Sequence, residues 1–195
     1  MAGRLRILRA EARNLVGNHA SLADLAREST FEAEGEFFCD HMTYPYVAHL
    51  AVVAVDRDTG GLDVRRYLVA YDIGRAINPM LVKRQITGGV AQGIGGALYE
   101  KFLYDEFGQP LAGTFADYMM PTAREVPPVE VLITEDAPSP LNPPGVKGAG
   151  EAGINAVGAA IASAIDDALG QQIVVTRLPV TPTQIKRALQ CNPGM

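Results

Sequence analysis

Residues 46–71 read YVAHLAVVAVDRDTGGLDVRRYLVAY. Two runs rich in Val, Leu, Ala and Tyr, residues 46–55 and 62–71, flank Asp56-Arg57-Asp58-Thr59-Gly60-Gly61, a segment with the chemistry of tight turns. That layout predicts a β-hairpin. Downstream, Asn78-Pro79 marks a helix start, with Asn78 as cap and Pro79 at the first helical position, and the helical run extends as far as Glu100. Short strands are expected at residues 100–104 and 129–134, with a turn at Asp105-Glu106-Phe107-Gly108 and a connection at Pro127-Pro128. A second Pro-rich stretch, residues 138–144, leads through a Gly-rich loop to an apolar, Ala-rich helix over residues 152–169, closed by Gly170. Thr181-Pro182 opens a last helix to residue 190. Upstream of the hairpin, residues 1–25 carry Arg, Ala and Leu at helical spacing and predict two modest helices, the second capped by Ser21. Residues 31–43 suit a connector, so that residues 1–43 form a helical and connector region. The expected architecture is α+β, a twisted, mainly antiparallel sheet packed against the helix after Asn78 and the 152–169 helix.

Composition narrows the function. A chain of 195 residues with 48% hydrophobic content fills the core of one domain or slightly more. A net charge of -5 and 17 scattered Lys and Arg residues leave no basic footprint for a nucleic-acid backbone, so nucleic acid is not an expected partner. No apolar run approaches the roughly 18 to 20 residues of a membrane span, and the start of the chain lacks the layout of a signal peptide, which predicts a cytoplasmic protein. Cys39 and Cys191 lie far apart, without partners at zinc or iron-sulfur spacing, and read as free thiols. His19, His41 and His49 form no metal-ligand pattern and read as surface or packing residues. Any metal must therefore arrive with an organic cofactor.

Two glycine-rich segments stand out. Gly88, Gly89, Gly93, Gly95 and Gly96 fall inside the helix after Asn78, each costing up to about 1 kcal/mol against Ala. Close packing against another backbone and approach of a large ligand account for them equally well. The second segment, Gly145-Val146-Lys147-Gly148-Ala149-Gly150-Glu151-Ala152-Gly153, places a lone carboxylate just after a glycine loop and at an expected helix start. Exposed backbone N–H groups and a helix N-terminus would accommodate an anionic cofactor or oxyanion. The plainer account is that Glu151 complements the helix dipole, contributing about 0.3 to 1 kcal/mol. The loop lacks the Ser or Thr that follows Gly-Lys in a P-loop, and residues 88–96 contain no Gly-x-Gly-x-x-Gly, so neither an ATPase nor a Rossmann dehydrogenase is supported.

Four segments in this order resemble the C-terminal region of the molybdenum hydroxylase large subunit, the family of xanthine dehydrogenase, aldehyde oxidoreductase and aerobic carbon monoxide dehydrogenase. They are Asp72-Ile73-Gly74 with Ile77-Asn78-Pro79; residues 85–95 with their Gln-x-x-Gly-x-x-x-Gln-Gly core; Asp117-Tyr118 with Pro121-Thr122; and residues 147–151. The resemblance covers most of this chain but about the last quarter of the family's subunit, making residues 1–195 a single partial domain.

The resemblance implies that Glu151 is the general base, taking a proton from the oxygen that attacks an electron-poor carbon of an aldehyde or N-heterocycle. A carboxylate screened from water by cofactor and substrate is a stronger base than one in water. It implies further that Gln85, with Gln92 beside it, hydrogen-bonds a molybdopterin cofactor, in the cytosine dinucleotide form, and that the N–H groups of Gly148, Ala149 and Gly150 line it. Lys147 orients the loop or meets an anionic group, while Asp72, Asn78, Asp117 and Tyr118 hold the fold. The competing account of Gln85 and Gln92 is a polar pair satisfying nearby backbone. The implied partners are the upstream part of the large subunit, an iron-sulfur subunit and a FAD subunit, which carry the clusters and flavin this chain lacks. The alternative is a non-catalytic gene fragment or accessory interaction module.

Overall fold

The computed structural model describes residues 3–4, 36–38 and 41–191. The chain forms two units, Met1–Met42 and Thr43–Met195. In the first, β1 (Gly3–Arg4) pairs antiparallel with β2 (Glu36–Phe37), Gly3 opposite Phe37 and Arg4 opposite Glu36. The helix expected from residue 1 is thus replaced by a strand at residues 3–4, where Gly3 is a poor helix former and the backbone bonds across to β2 instead. The expected connector likewise contains the short strand β2. The rest of the helical reading, with Ser21, His19 and Cys39, lies outside the described residues.

The second unit opens with the expected hairpin, β3 (Tyr46–Val55) against β4 (Leu62–Asp72). Its turn is closed by Asp56, whose Oδ1 accepts the N–H groups of Asp58 and Thr59 at 2.8 and 3.0 Å, and by Gly60 at φ +75. The register slips between Val52 and Val53, which face Arg66 and Val64 and leave Arg65 as an extra residue. This bulge places two consecutive arginines, Arg65 and Arg66, on the exposed side before alternation resumes with Tyr67, Val69 and Tyr71 buried. β5 (Val129–Thr134) joins the other side of β4 in parallel, giving the order β3-β4-β5. The sheet is therefore mixed, its longer ladder antiparallel. The parallel pair arises because the chain between β4 and β5 contains a whole helix, a crossover long enough to return β5 to the same end.

That helix, α1 (Pro79–Leu98), is capped by Asn78, whose side chain accepts Leu81 N–H at 3.2 Å. No strand forms at residues 100–104. Glu100 N–H instead bonds back to Gly95 O at 2.8 Å, and Phe102, Leu103 and Tyr104 are exposed, with a single bridge from Tyr104 to Pro110 around the Asp105 turn. α2 (Val157–Ala168) begins five residues later than expected, because residues 151–156 form tight turns that carry Gly153 against the backbone of Ile86. Glu151 is consequently not in the first turn of α2, which weakens the helix-dipole account of it. α3 (Pro182–Cys191) begins with a capping box: Gln184 Oε1 accepts Thr181 N–H at 2.7 Å and Thr181 Oγ1 accepts Gln184 N–H at 3.4 Å.

The core lies between one face of the sheet and the helices. Ile86, Val90 and Ile94 recur every fourth residue on α1, as do Val157, Ile161 and Ile165 on α2, and all six are fully buried with Tyr67, Val69 and Tyr71. Each such side chain contributes about 1.5 to 3 kcal/mol by leaving water. The opposite sheet face leaves Tyr46, Leu50, Val52 and Leu132 exposed. Among the described residues no helix is long and apolar enough to cross a membrane.

Candidate functional site

The glycine loop hangs from the end of β4. Asp72 accepts Gly74 N–H at 2.7 Å and Ala137 N–H at 3.1 Å, and its Oδ1 lies 3.6 Å from Lys147 Nζ. Lys147 N–H also donates to Ile73 O at 3.0 Å, and its ammonium lies 4.8 Å from the centre of the Tyr46 ring. Asn142 clasps the start of the loop twice, donating to Val146 O at 2.9 Å and accepting Val146 N–H at 2.8 Å. Lys147 is thus engaged with Asp72 and Tyr46 at the base of the loop.

Beyond Lys147 the chain runs outward. Gly148, Gly150 and Glu151 are exposed, and among the described residues the N–H groups of Gly148, Ala149 and Gly150 donate to no protein acceptor. Two side chains of the sheet seize carbonyls on either side of Glu151. Tyr71 Oη–H donates to Gly148 O, and His49 Nε2 lies 2.8 Å from Ala152 O. A carbonyl only accepts, so His49 carries its proton on Nε2, and Nδ1 accepts the Tyr67 hydroxyl at 2.8 Å. Burial holds the imidazole below its ordinary pKa, against the opposing pull of the Ala152 carbonyl, and burial likewise pushes the Tyr67 hydroxyl up. Ile154 and Asn155 N–H both return to Glu151 O, at 3.1 and 3.2 Å.

α1 meets this loop through its glycines. An added Cβ at Gly89 would lie 2.9 Å from Gly153, and one at Gly93 would lie 2.5 Å from Val157 Cβ, while Gly95 abuts Glu100 and Pro121. Packing accounts for these three. Gly88 and Gly96 have nothing within 4 Å of such a Cβ and share an exposed stripe with Gln85 and Gln92, whose side chains make no hydrogen bond within the described residues. Contact of Gly153 with Ile86, the residue after Gln85, brings the Glu151 loop beside the start of this stripe. Gln92 lies two helical turns further along, about 10 Å by helix rise. Among the described residues no group of three His, Cys, Asp or Glu side chains is placed to hold a metal ion.

Asn78, Asp117 and Tyr118 have structural partners: Asn78 caps α1, Asp117 accepts Thr114 Oγ1–H at 2.7 Å, and Tyr118 Oη–H donates to Glu100 at 2.8 Å. Sequence reasoning gave His49 a surface or packing role and did not single out Tyr67 or Tyr71. Strand alternation held the signal, since it turns His49 inward with Val47 and Ala51.

Residues 5–127 match the molybdopterin cofactor-binding domain family, a span that includes Gln85 and Gln92 and ends before the Glu151 loop. The chain is 51% identical over 158 residues to the 6-hydroxypseudooxynicotine dehydrogenase complex subunit gamma of Paenarthrobacter nicotinovorans, covering 81% of this chain and 20% of that one. It is 40% identical over 141 residues to the nicotine 6-hydroxylase large subunit of the same organism, covering 72% and 17%. The fold matches a crystal structure of Cu,Mo-CO dehydrogenase with a TM-score of 0.75 at 31% identity, over 82% of this chain and 20% of that one. The chain spans about a fifth of the length of these relatives.

Proposed function

Because this chain belongs to the molybdopterin cofactor-binding domain family, we propose that it forms part of a molybdenum hydroxylase, with Glu151 as the general base. The observation that carries this reading is the loop itself. Glu151 is exposed beside three N–H groups that no protein acceptor uses, and is held in place by bonds to the carbonyls of Gly148 and Ala152. This donor set suits a pterin cofactor, which is rich in acceptor atoms and carries anionic phosphate. Gln85 and Gln92 add amides that both donate and accept, on a stripe where Gly88 and Gly96 allow a flat group to approach the helix backbone.

The molybdenum-pterin, in its cytosine dinucleotide form, supplies when bound the two-electron chemistry by which oxygen from water reaches an electron-poor carbon. Glu151 takes the proton that this oxygen must lose. Lys147, paired with Asp72, anchors the loop rather than meeting the cofactor's charge directly. The names of the two nicotine-related relatives favour an N-heterocyclic substrate carbon over an aldehyde. Electrons leave through an iron-sulfur subunit to a FAD subunit, and the upstream part of the large subunit completes the pocket.

Purification of the chain alone and together with a candidate upstream partner, followed by molybdenum analysis by mass spectrometry, tests the assignment. Metal in the co-purified complex and not in the isolated chain is the expected result. Absence of both complex and metal would establish a non-catalytic fragment instead.

A further inference from the structure

Three side chains of the sheet have no part in the chemistry proposed above, yet each acts on the segment that carries Glu151. His49 comes from β3, and Tyr67 and Tyr71 from β4; Tyr67 and Tyr71 are fully buried. In the core an apolar residue would serve packing better than a phenol or an imidazole, because each polar atom must find a partner when it leaves water. Here the partners are two loop carbonyls, Gly148 O for Tyr71 and Ala152 O for His49. These carbonyls lie three residues before Glu151 and one after it.

The bonds are directional. In the neutral imidazole, His49 holds Ala152 O with Nε2–H only in the tautomer whose Nδ1 accepts, and the Tyr67 hydroxyl, 2.8 Å from Nδ1, stabilises that tautomer. The Tyr67 ring also packs edge-on against the imidazole, with ring centres 5.7 Å apart at 78°, which fixes the ring plane. Loop backbone that is also secured at Lys147 and Gly153 is therefore gripped at four points, with Glu151 between the middle two.

We propose that His49, oriented by Tyr67, and Tyr71 are positioning residues that fix the Glu151 carboxylate through the Ala152 and Gly148 carbonyls. The catalytic part of this proposal rests on the reading of Glu151 as base. The mechanical part does not.

Amide hydrogen exchange on the full chain, read at the bonded loop amides of Lys147, Ile154 and Asn155 and over α1, separates the two. In H49L the loop amides are expected to exchange about tenfold faster, the factor that accompanies loss of one hydrogen bond, while the α1 amides keep their rates. Y71F is expected to act likewise at the Lys147 amide, which bonds to Ile73 O beside Gly148. H49Q restores slow exchange, because its amide donates to Ala152 O and its carbonyl accepts from Tyr67. In the assembled enzyme H49L lowers kcat at unchanged KM, and H49Q recovers it. Unchanged loop exchange in both H49L and Y71F overturns the proposal, as does acceleration spread equally over α1, or failure of H49Q to restore the loop. Should Glu151→Gln keep full turnover, the base assignment falls while the exchange result still decides whether the sheet holds the loop.

Discussion

Lys147 and Asp72 form an ion pair at 3.6 Å in which the side chains are only 6% and 13% exposed, and Asp72 holds two backbone N–H groups as well. The pair ties the foot of the glycine loop to the end of the central strand. Removing one member of a pair so withdrawn from water leaves the other uncompensated, at a cost of about 3 to 5 kcal/mol. Asp72→Asn is expected to reach that range, because it strands the Lys147 ammonium. Lys147→Met should cost less, since Gly74 and Ala137 N–H still satisfy the carboxylate. Urea unfolding of the two variants gives the order, and a smaller loss in Asp72→Asn would contradict it.

The glycines of α1 divide into two classes with opposite expected effects. Gly93→Ala drives a methyl group to 2.5 Å from Val157 Cβ and should destabilise the chain by about 1 to 2 kcal/mol, overpacking outweighing the better helix propensity of Ala. Gly88→Ala meets nothing and should stabilise it by up to about 1 kcal/mol. If Gly88 lies under the cofactor, the same variant loses molybdenum content in the complex while its unfolding midpoint rises. Thermal unfolding and metal analysis on one preparation read both effects.

His49 gives a stability change with a defined sign. Its imidazole meets Tyr67 and the Ala152 carbonyl, and His49 lines a groove with Ala156, the residue before α2, and with Ala160 and Ser163 of α2, with no charged side chain lining that groove among the described residues. Burial lowers its pKa from 6.5, so between the folded value and 6.5 the unfolded chain binds more protons. Stability is complete above 6.5, falls as pH drops through that value and levels off below the folded pKa. Relative to H49Q, the natural chain should lose unfolding free energy as pH drops through 6.5. Parallel pH curves for the two proteins would show that His49 titrates as it does in water.

Glu151→Gln keeps the shape and the neighbouring bonds of the loop but cannot accept a proton. Turnover of the assembled enzyme should fall by about 10²- to 10⁴-fold, the usual contribution of a general base, with molybdenum content retained. Steady-state rates normalised to metal content give the comparison, and undiminished turnover would remove Glu151 from that role.

The elements legible in the sequence were those fixed by local chemistry. The hairpin turn at residues 56–61, the Asn78 cap, the Thr181 cap and the strand at residues 129–134 each depend on neighbouring residues and appear where expected. What local chemistry does not determine was either not foreseen, as with the parallel pairing within a sheet expected to be mainly antiparallel, or misread. The parallel partner of β5 depends on the crossover, the late start of α2 on the contact between Gly153 and Ile86, and the missing strand at residues 100–104 on pairing that, among the described residues, goes no further than the single Tyr104–Pro110 bridge. The site divides the same way. The glycine loop and Glu151 stand out in one segment of sequence, whereas the Ala152 carbonyl meets His49 from 103 residues away.

The two tight crossings of α1 leave different freedom for the sequence to drift. At Gly93 the obstacle is the side chain of Val157, so a methyl gained on one helix can be traded for carbon lost on the other, and a Gly93→Ala, Val157→Ala double change should recover stability that the first change loses. At Gly89 the obstacle is the backbone of Gly153, which has nothing to give up. Position 89 is therefore closed to inheritance of any larger residue as long as the chain turns there to present Glu151, while position 93 can wander with its partner.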